Sequence, residues 1–292
     1  MDAQTRFTYF LLKLVNAKKL AGKTLLKPKR SKKFKSPHRL KKYLLDQFLV
    51  HQRNVVTFAS HSTTTNKHIV FLHGGGYTIE VQKSHWWLME QLIKKTANKL
   101  SFIEYPLAPE HNYKQAHAML AEAYAELCRK HPDDGFYLLG DSAGGGFCLS
   151  FAQTLRNNKL HKKPVKIALL SPWLDLSMNN TDIKKQEPKD LILSTETLLK
   201  CAAWFSNGMD LKTPILSPLY GELNDLNSIA VFVGSDELLL PDCSLLKQKI
   251  EASNTTLFYK EYEGMQHDFI VFPIKERHDL LRDVLEYFAL KR

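Results

Sequence analysis

The sequence has little cysteine and no long uncharged apolar run. Its four cysteines lie far apart, without a C-x-x-C pair or a His/Cys cluster at metal-ligand spacing. This spacing argues against a disulfide framework and a zinc site, and it favours reduced, mostly buried thiols in a cytoplasmic protein. The apolar stretch "RFTYFLLKLV" near the start is interrupted by Lys13, is too short to span a bilayer and lacks the flanks of a secretory signal.

Acidic residues are nearly absent from residues 1–50. This segment holds 14 of the 41 Lys and Arg residues but only two of the 30 Asp and Glu residues, so its net charge is +12, whereas that of residues 51–292 is −1. We expect a terminal helix whose apolar side packs on the domain, with its lysines in solvent. A helix lying on an anionic membrane is the second interpretation. Nucleic acid is the least favoured partner, because no nucleic-acid module accompanies the charge.

Short apolar or β-branched runs alternate with segments of helical period along the rest of the chain. This alternation predicts an α/β fold with a mostly parallel, eight-stranded sheet covered by helices on both faces. The interval between the runs ending at Ser171 and starting at Ile229 is too long for a simple crossover. We therefore predict a catalytic domain over 51–292, with an insertion over about 177–212 that forms a helical cap together with residues 1–50.

The stretch "GDSAG" places Ser142 between two glycines, after the apolar run "FYLLG" and before a helical segment. A strand, tight turn and helix in this order are what a nucleophile elbow requires. A serine hydroxyl also needs a base and an orienting acid. His267 follows one predicted strand and Asp236 follows another, so both should meet Ser142 at the same edge of the sheet. Asp242 is the rival acid, but it lies farther from the strand end, inside the next predicted helix.

Two other histidines precede the serine and are less suitable as its base. His111 in "LAPEHNY" more plausibly braces a loop, and His73 more plausibly orients the three glycines that follow it. Those glycines lack the spacing of either phosphate-binding motif. They can instead bring backbone N–H groups to an oxyanion, and we expect the donors to be Gly74, Gly75 and Ala143.

Taken together, the motifs resemble those of the hormone-sensitive-lipase-like branch of the α/β-hydrolase fold. The matching stretches are, in order, "HGGGY" (73–77), "YPLAPEH" (105–111), "GDSAGG" (140–145), "SPWLDLS" (171–177), "GSDELL" (234–239) and "GMQHDF" (264–269). The resemblance implies Ser142 as nucleophile, His267 as base, Asp236 as acid and the oxyanion donors named above. Two departures are Pro106, where the family often has Arg, and Asp268, where Gly is common. Asp268 puts a second carboxylate near His267.

These observations predict a cofactor-free and metal-free serine hydrolase that cleaves small-molecule carboxylic esters of short to medium acyl chain. The alternatives are amide cleavage, lipid hydrolysis or acyl transfer at a membrane surface, and ligand binding without turnover. Residues expected to line an apolar substrate pocket, or else to pack in the core, are Tyr77, Trp86, Trp87, Trp173 and Trp204. Substrate choice depends on the volume of this pocket, which is set by contacts distant in sequence.

Overall fold

The computed structural model describes residues 1–60, 63, 65–158 and 161–289. Eight strands form one sheet in the order β1-β2-β4-β3-β5-β6-β7-β8. The contacts β1·β2 and β2·β4 are antiparallel, and the other neighbours are parallel. The strands are β1 Leu44–Val50, β2 Arg53–Phe58, β3 Lys67–Leu72, β4 Lys99–Ile103, β5 Gly135–Asp141, β6 Lys166–Leu170, β7 Ser228–Gly234 and β8 Thr256–Tyr262.

Nine α-helices occur in the described residues, some in the crossovers between parallel strands and others at the cap. They are α1 Ala3–Leu14, α2 Ala17–Leu26, α3 Lys83–Lys95, α4 Tyr113–Lys130, α5 Ser142–Asn158, α6 Ile183–Gln186, α7 Thr195–Ser206, α8 Leu240–Glu251 and α9 Glu276–Ala289. Short 3-10 turns lie at His38–Tyr43, Pro218–Tyr220 and Phe269–Val271.

Helices cover both faces of the sheet because successive side chains of a strand point to opposite sides. In β3, Val70 and Leu72 belong to one buried cluster, while Ile69 and Phe71 belong to the other. The first cluster is completed by apolar residues of α4, α5 and α8, and the second by those of α3 and α9. The predicted α/β architecture with its eight-stranded, mostly parallel sheet is confirmed.

The predicted boundary at residue 50 falls inside the sheet region, since β1 already pairs with β2 from Leu44 onward. Upstream of β1, α2 packs against α7 of the insertion. The contact is close: a side-chain carbon added at Gly22 would lie 2.9 Å from the hydroxyl oxygen of Thr197. The N-terminal segment and the insertion therefore meet, with α2 and α7 as the contact.

Candidate active site

Ser142 lies at the sharp turn between β5 and α5. Its φ angle of 49° is in the left-handed region, which is strained for a residue other than glycine. The flanking positions must be glycine because no space is left there for a side chain. A side-chain carbon at Gly140 would lie 2.3 Å from the carbonyl oxygen of Gly144, and one at Gly144 would lie 2.1 Å from that of Leu72. This turn presents the serine oxygen above the carboxyl edge of the sheet, as the motif predicts.

His267 follows β8 and reaches the serine across the sheet edge. Its Nε2 lies 3.0 Å from the Oγ of Ser142, and the imidazole is buried. The hydroxyl of Tyr9, from α1, accepts a hydrogen bond from the backbone N–H of Gln266. Helix α1 is thus bonded to the residue next to the histidine. The distance between His267 and Ser142 suits proton transfer from the hydroxyl.

The carboxylate that faces the other nitrogen of His267 belongs to Glu237. Its Oε1 lies 3.4 Å from Nδ1, while its Oε2 accepts hydrogen bonds from the hydroxyl of Ser171 (2.6 Å) and the backbone N–H of Gly234 (3.0 Å). Glu237 is fully buried. These bonds fix the carboxylate where it can orient the imidazole.

The structure does not bring Asp236, the acid expected from the sequence, to His267. The Asp236 carboxylate accepts from the hydroxyl of Ser235, and its backbone N–H donates to the carbonyl of Met265. The rival, Asp242, accepts from the side chain of Asn180, and burial raises its pKa to about 7. The turn after β7 points Glu237 inward and leaves Asp236 half-buried, so the position of the acid shifts by one residue.

Asp268 places a second carboxylate beside the histidine, on the same side as the serine. Its Oδ2 lies 3.2 Å from Nε2 of His267, and its Oδ1 is buried without a hydrogen-bond partner among the described residues. Burial of the imidazole opposes its charge, but the carboxylates of Asp268 and Glu237 outweigh burial and raise the pKa of His267 well above its usual value. Burial raises the pKa of Asp268 to about 6, although the histidine lowers it.

The glycine-rich loop after β3 supplies backbone donors near Ser142, shifted by one residue from the expected pair. The backbone of Gly74 packs closely on Asp141, where an added side-chain carbon would lie 2.3 Å from a carboxylate oxygen, whereas Gly75 and Gly76 line the cavity that contains Ser142. Gly75 and Gly76 have φ angles of 109° and 61°, which favour glycine. Ala143 lies in the first turn of α5, where backbone N–H groups lack helical partners.

Comparison with known proteins agrees with the fold and identifies the family. The sequence profile of an alpha/beta hydrolase fold family matches residues 69–271. The chain belongs to this α/β-hydrolase family.

Individual relatives of this hydrolase are similar over most of their length. It is 30% identical over 224 residues to an esterase of Acinetobacter venetianus, a match that covers 75% of this chain and 73% of the relative. It is 28% identical over 200 residues to an acetyl-hydrolase of Streptomyces hygroscopicus, covering 68% and 67%. A solved esterase of the bacterial hormone-sensitive lipase family superposes with a TM-score of 0.78 at 22% identity, covering 92% and 89%. The predicted resemblance is confirmed.

A cavity of about 260 Å³ contains both Ser142 and His267 of this α/β-hydrolase. Larger depressions, of about 560 and 800 Å³, lie elsewhere and do not include the serine. The active-site cavity is lined by apolar residues of α2, of the glycine loop, of the insertion and of the turn after His267. They are Ala21, Leu25, Ile79, Ile192, Leu193, Leu198, Val271 and Phe272.

The aromatic residues expected in this cavity are placed elsewhere by the structure. Tyr77 is buried and stacks on Phe205, with 3.8 Å between ring centres. Trp173 is fully buried, and its indole N–H donates to the carbonyl of Asp175. Trp204 is partly buried against the core. None of the three lines the cavity around Ser142 in the part of the chain that the structure describes, so packing accounts for them.

A buried carboxylate that the motifs did not single out joins the insertion to the acid loop. Asp190 accepts hydrogen bonds from the backbone N–H groups of Ile192 (2.6 Å), Leu193 (2.7 Å) and Leu238 (2.7 Å). Leu238 follows Glu237, and Ile192 and Leu193 line the cavity. Asp190 therefore fixes the cavity wall relative to the carboxylate that faces His267.

One group of side chains in the described residues could converge on a metal ion, and it lies at the opposite edge of the sheet. It consists of His68, His131 and Asp134. The ammonium of Lys99 donates to both oxygens of Asp134 at 2.8 Å, and His68 already contacts Ser101 and Asp134. The donor atoms of His68 and Asp134 therefore serve the protein's own hydrogen bonds, and the group does not include a residue of the cavity around Ser142.

Proposed function

We propose that this α/β-hydrolase cleaves carboxylic esters through an acyl-enzyme, with Ser142 as nucleophile, His267 as base and Glu237 as the orienting acid. One observation carries the proposal: the imidazole of His267 faces Ser142 Oγ at 3.0 Å with one nitrogen and the Glu237 carboxylate with the other. A hydroxyl, imidazole and carboxylate in this order can generate a nucleophile at neutral pH.

In the first step, Ser142 Oγ attacks the ester carbonyl carbon while His267 Nε2 takes the hydroxyl proton. The imidazolium then gives that proton to the departing alcohol, which leaves the acyl group on the serine. Water then enters and attacks the acyl carbon while His267 takes its proton. The bond from that carbon to Ser142 Oγ breaks, the imidazolium returns the proton to Oγ, and the carboxylic acid leaves. Glu237 stabilises the imidazolium at both steps and keeps the Nδ1 proton directed toward itself.

Negative charge develops on the carbonyl oxygen during both attacks. We propose the backbone N–H groups of Gly75, Gly76 and Ala143 as the donors that stabilise it. Removing one such donor typically costs about 3–4 kcal/mol in the barrier. Gly74, which the sequence suggested, packs on Asp141 and is not among the described residues that line the cavity around Ser142.

We propose a preference for short to medium acyl chains, because the apolar cavity at Ser142 measures about 260 Å³. Replacing Ile192 with Trp should fill part of it. We expect kcat/KM for a hexanoate ester to fall by about tenfold relative to that for an acetate ester, since one methylene in an apolar pocket changes discrimination by roughly ten-fold or more. Leu199→Trp, on the exposed side of α7, is the matched control. Equal losses for both esters would contradict the assignment of this wall.

A small fluorophosphonate provides the direct test, because it reports an activated serine without requiring a known substrate. We expect one adduct by intact mass, located on the peptide that contains Ser142 and strongly slowed in His267→Ala. A folded protein that forms no adduct would overturn the proposal and favour ligand binding without turnover. If the adduct forms, rates with paired esters and anilides would separate ester from amide cleavage. The cytoplasmic location suggested by the four free cysteines remains a prediction.

A further inference from the structure

Helix α1 turns its broad apolar side to solvent. Phe7, Phe10, Leu11 and Leu14 follow one another at the spacing of a single helix face, and their exposed fractions are 61%, 60%, 40% and 70%. The opposite side of the helix, which includes the buried Thr5 and Tyr9, packs on the domain. This orientation is the reverse of the packing expected from the sequence, in which the apolar side was to be buried.

The exposed apolar area continues beyond α1 into α2. We call it the outward apolar surface, and it consists of Phe7, Phe10, Leu11, Leu14, Val15 and Leu20, all exposed. Single exposed apolar residues are ordinary on a soluble protein, but a contiguous group of large ones marks a site that is covered by something else.

The charges beside this surface are almost all positive. Arg6, Lys13, Lys19 and Lys23 lie on the same two helices, and Asp2 is the only acidic residue in the first 45. The carboxylate of Asp2 is occupied at the start of α1, where it accepts from the backbone N–H of Thr5. An apolar face bordered by cations is what interfacial binding to anionic lipid requires.

We propose that the outward apolar surface docks the protein peripherally on an anionic lipid surface. No described helix is long and apolar enough to cross a membrane, so the contact would be interfacial. A second copy of the chain fits less well, because an isologous contact would bring two such basic segments together. Nucleic acid would leave the exposed phenylalanines without a partner.

The docked face borders the active site, which gives the contact a consequence for substrate supply. Ala21, Thr24 and Leu25 of α2 line the cavity around Ser142. Tyr9, on the packed side of α1, is bonded to the residue before His267. Docking would thus bring the cavity close to the lipid, and an ester partitioned there could reach Ser142. This last step rests on the proposed function, whereas the docking itself does not.

The docking can be measured without hydrolysis by using the full chain with Ser142→Ala. Flotation with extruded vesicles of phosphatidylcholine, with or without about one third phosphatidylglycerol, would compare anionic and neutral lipid at low salt. We expect binding to the anionic vesicles. Phe7→Ser with Phe10→Ser and Leu14→Ser should weaken it by at least about tenfold, because each side chain that no longer inserts loses apolar burial. Lys13→Gln with Lys19→Gln and Lys23→Gln should weaken anionic binding specifically.

Leu45→Ser with Leu49→Ser supplies the matched control, since both leucines are exposed on β1, at 51% and 64%, outside the outward apolar surface. These changes should leave binding unaltered. The docking proposal fails if the intact chain does not bind anionic vesicles, or if the serine variant of α1 binds equally well. It also fails if light scattering shows a dimer that the same variant dissociates, without vesicle binding. Hydrolysis of a water-soluble acetate ester by the unsubstituted chain tests the proposed function separately.

Discussion

Replacing Glu237 with Gln is expected to lower kcat/KM for a simple ester by about four orders of magnitude, as neutralising the acid of a serine triad does. The amide has almost the same shape, so Ser171 and Gly234 keep a partner. It has no negative charge to stabilise the imidazolium, and its NH2 group can donate to Nδ1 and favour the wrong tautomer. Steady-state rates and the rate of fluorophosphonate labelling should fall together, with little change in Tm.

Asp236→Asn is the matched control, because it removes the neighbouring carboxylate from the same loop. Asp236 is half-buried and its carboxylate contacts Ser235. We expect its rate to stay close to that of the unsubstituted chain. If Asp236→Asn were the damaging change and Glu237→Gln the silent one, the arrangement seen after β7 would be incorrect and the sequence-based choice would be restored.

The choice between these two carboxylates shows where the sequence stops being informative. A strand followed by "GSDELL" predicts that an acid emerges at the carboxyl edge of the sheet, and both candidates do. Which one points at the histidine depends on the turn dihedrals and on two buried donors to Glu237, the N–H of Gly234 and the hydroxyl of Ser171. Ser171 lies 66 residues before Glu237 in the chain. Ser142 was predictable because its neighbouring glycines encode the turn itself.

The same reasoning applies to the glycine loop and to α1. "HGGGY" predicts a loop close to the nucleophile, but the close packing of Gly74 on Asp141 leaves Gly75 and Gly76 on the side of the cavity. In α1 the periodicity correctly groups the residues that share a face. Which face packs is decided by contacts with the far end of the chain, where the hydroxyl of Tyr9 meets Gln266 and that of Thr5 donates to Glu276.

Asp268→Asn is expected to shift the acid limb of the kcat/KM profile to lower pH by about one to two units, the size of effect that an adjacent opposite charge has on a pKa. The carboxylate of Asp268 stabilises the protonated imidazole, so the pKa of His267 is raised. The base must be neutral to accept the serine proton, and activity is therefore lost as pH falls through that raised pKa. Without the carboxylate, the imidazole becomes neutral at a lower pH.

The surroundings of His267 make this shift attributable to a single group. Glu237 faces the other nitrogen, and Asp190 acts on the imidazole from further away. Asp141 acts on Asp268 and is paired with His85. All of them remain in the variant. Asparagine tolerates the φ angle of 50° at residue 268, so the backbone should be preserved.

Asp236→Asn and Asp268→Glu are the controls. The acid limb of their kcat/KM–pH profiles should stay at the pH found for the unsubstituted chain. A limb that stays in place, or moves to higher pH, in Asp268→Asn would show that the Asp268 carboxylate does not stabilise the charged histidine. Above the pH range of the acid limbs of both proteins, Asp268→Asn and the unsubstituted chain should hydrolyse esters at similar rates. The contacts among Ser142, His267 and Glu237 do not include Asp268.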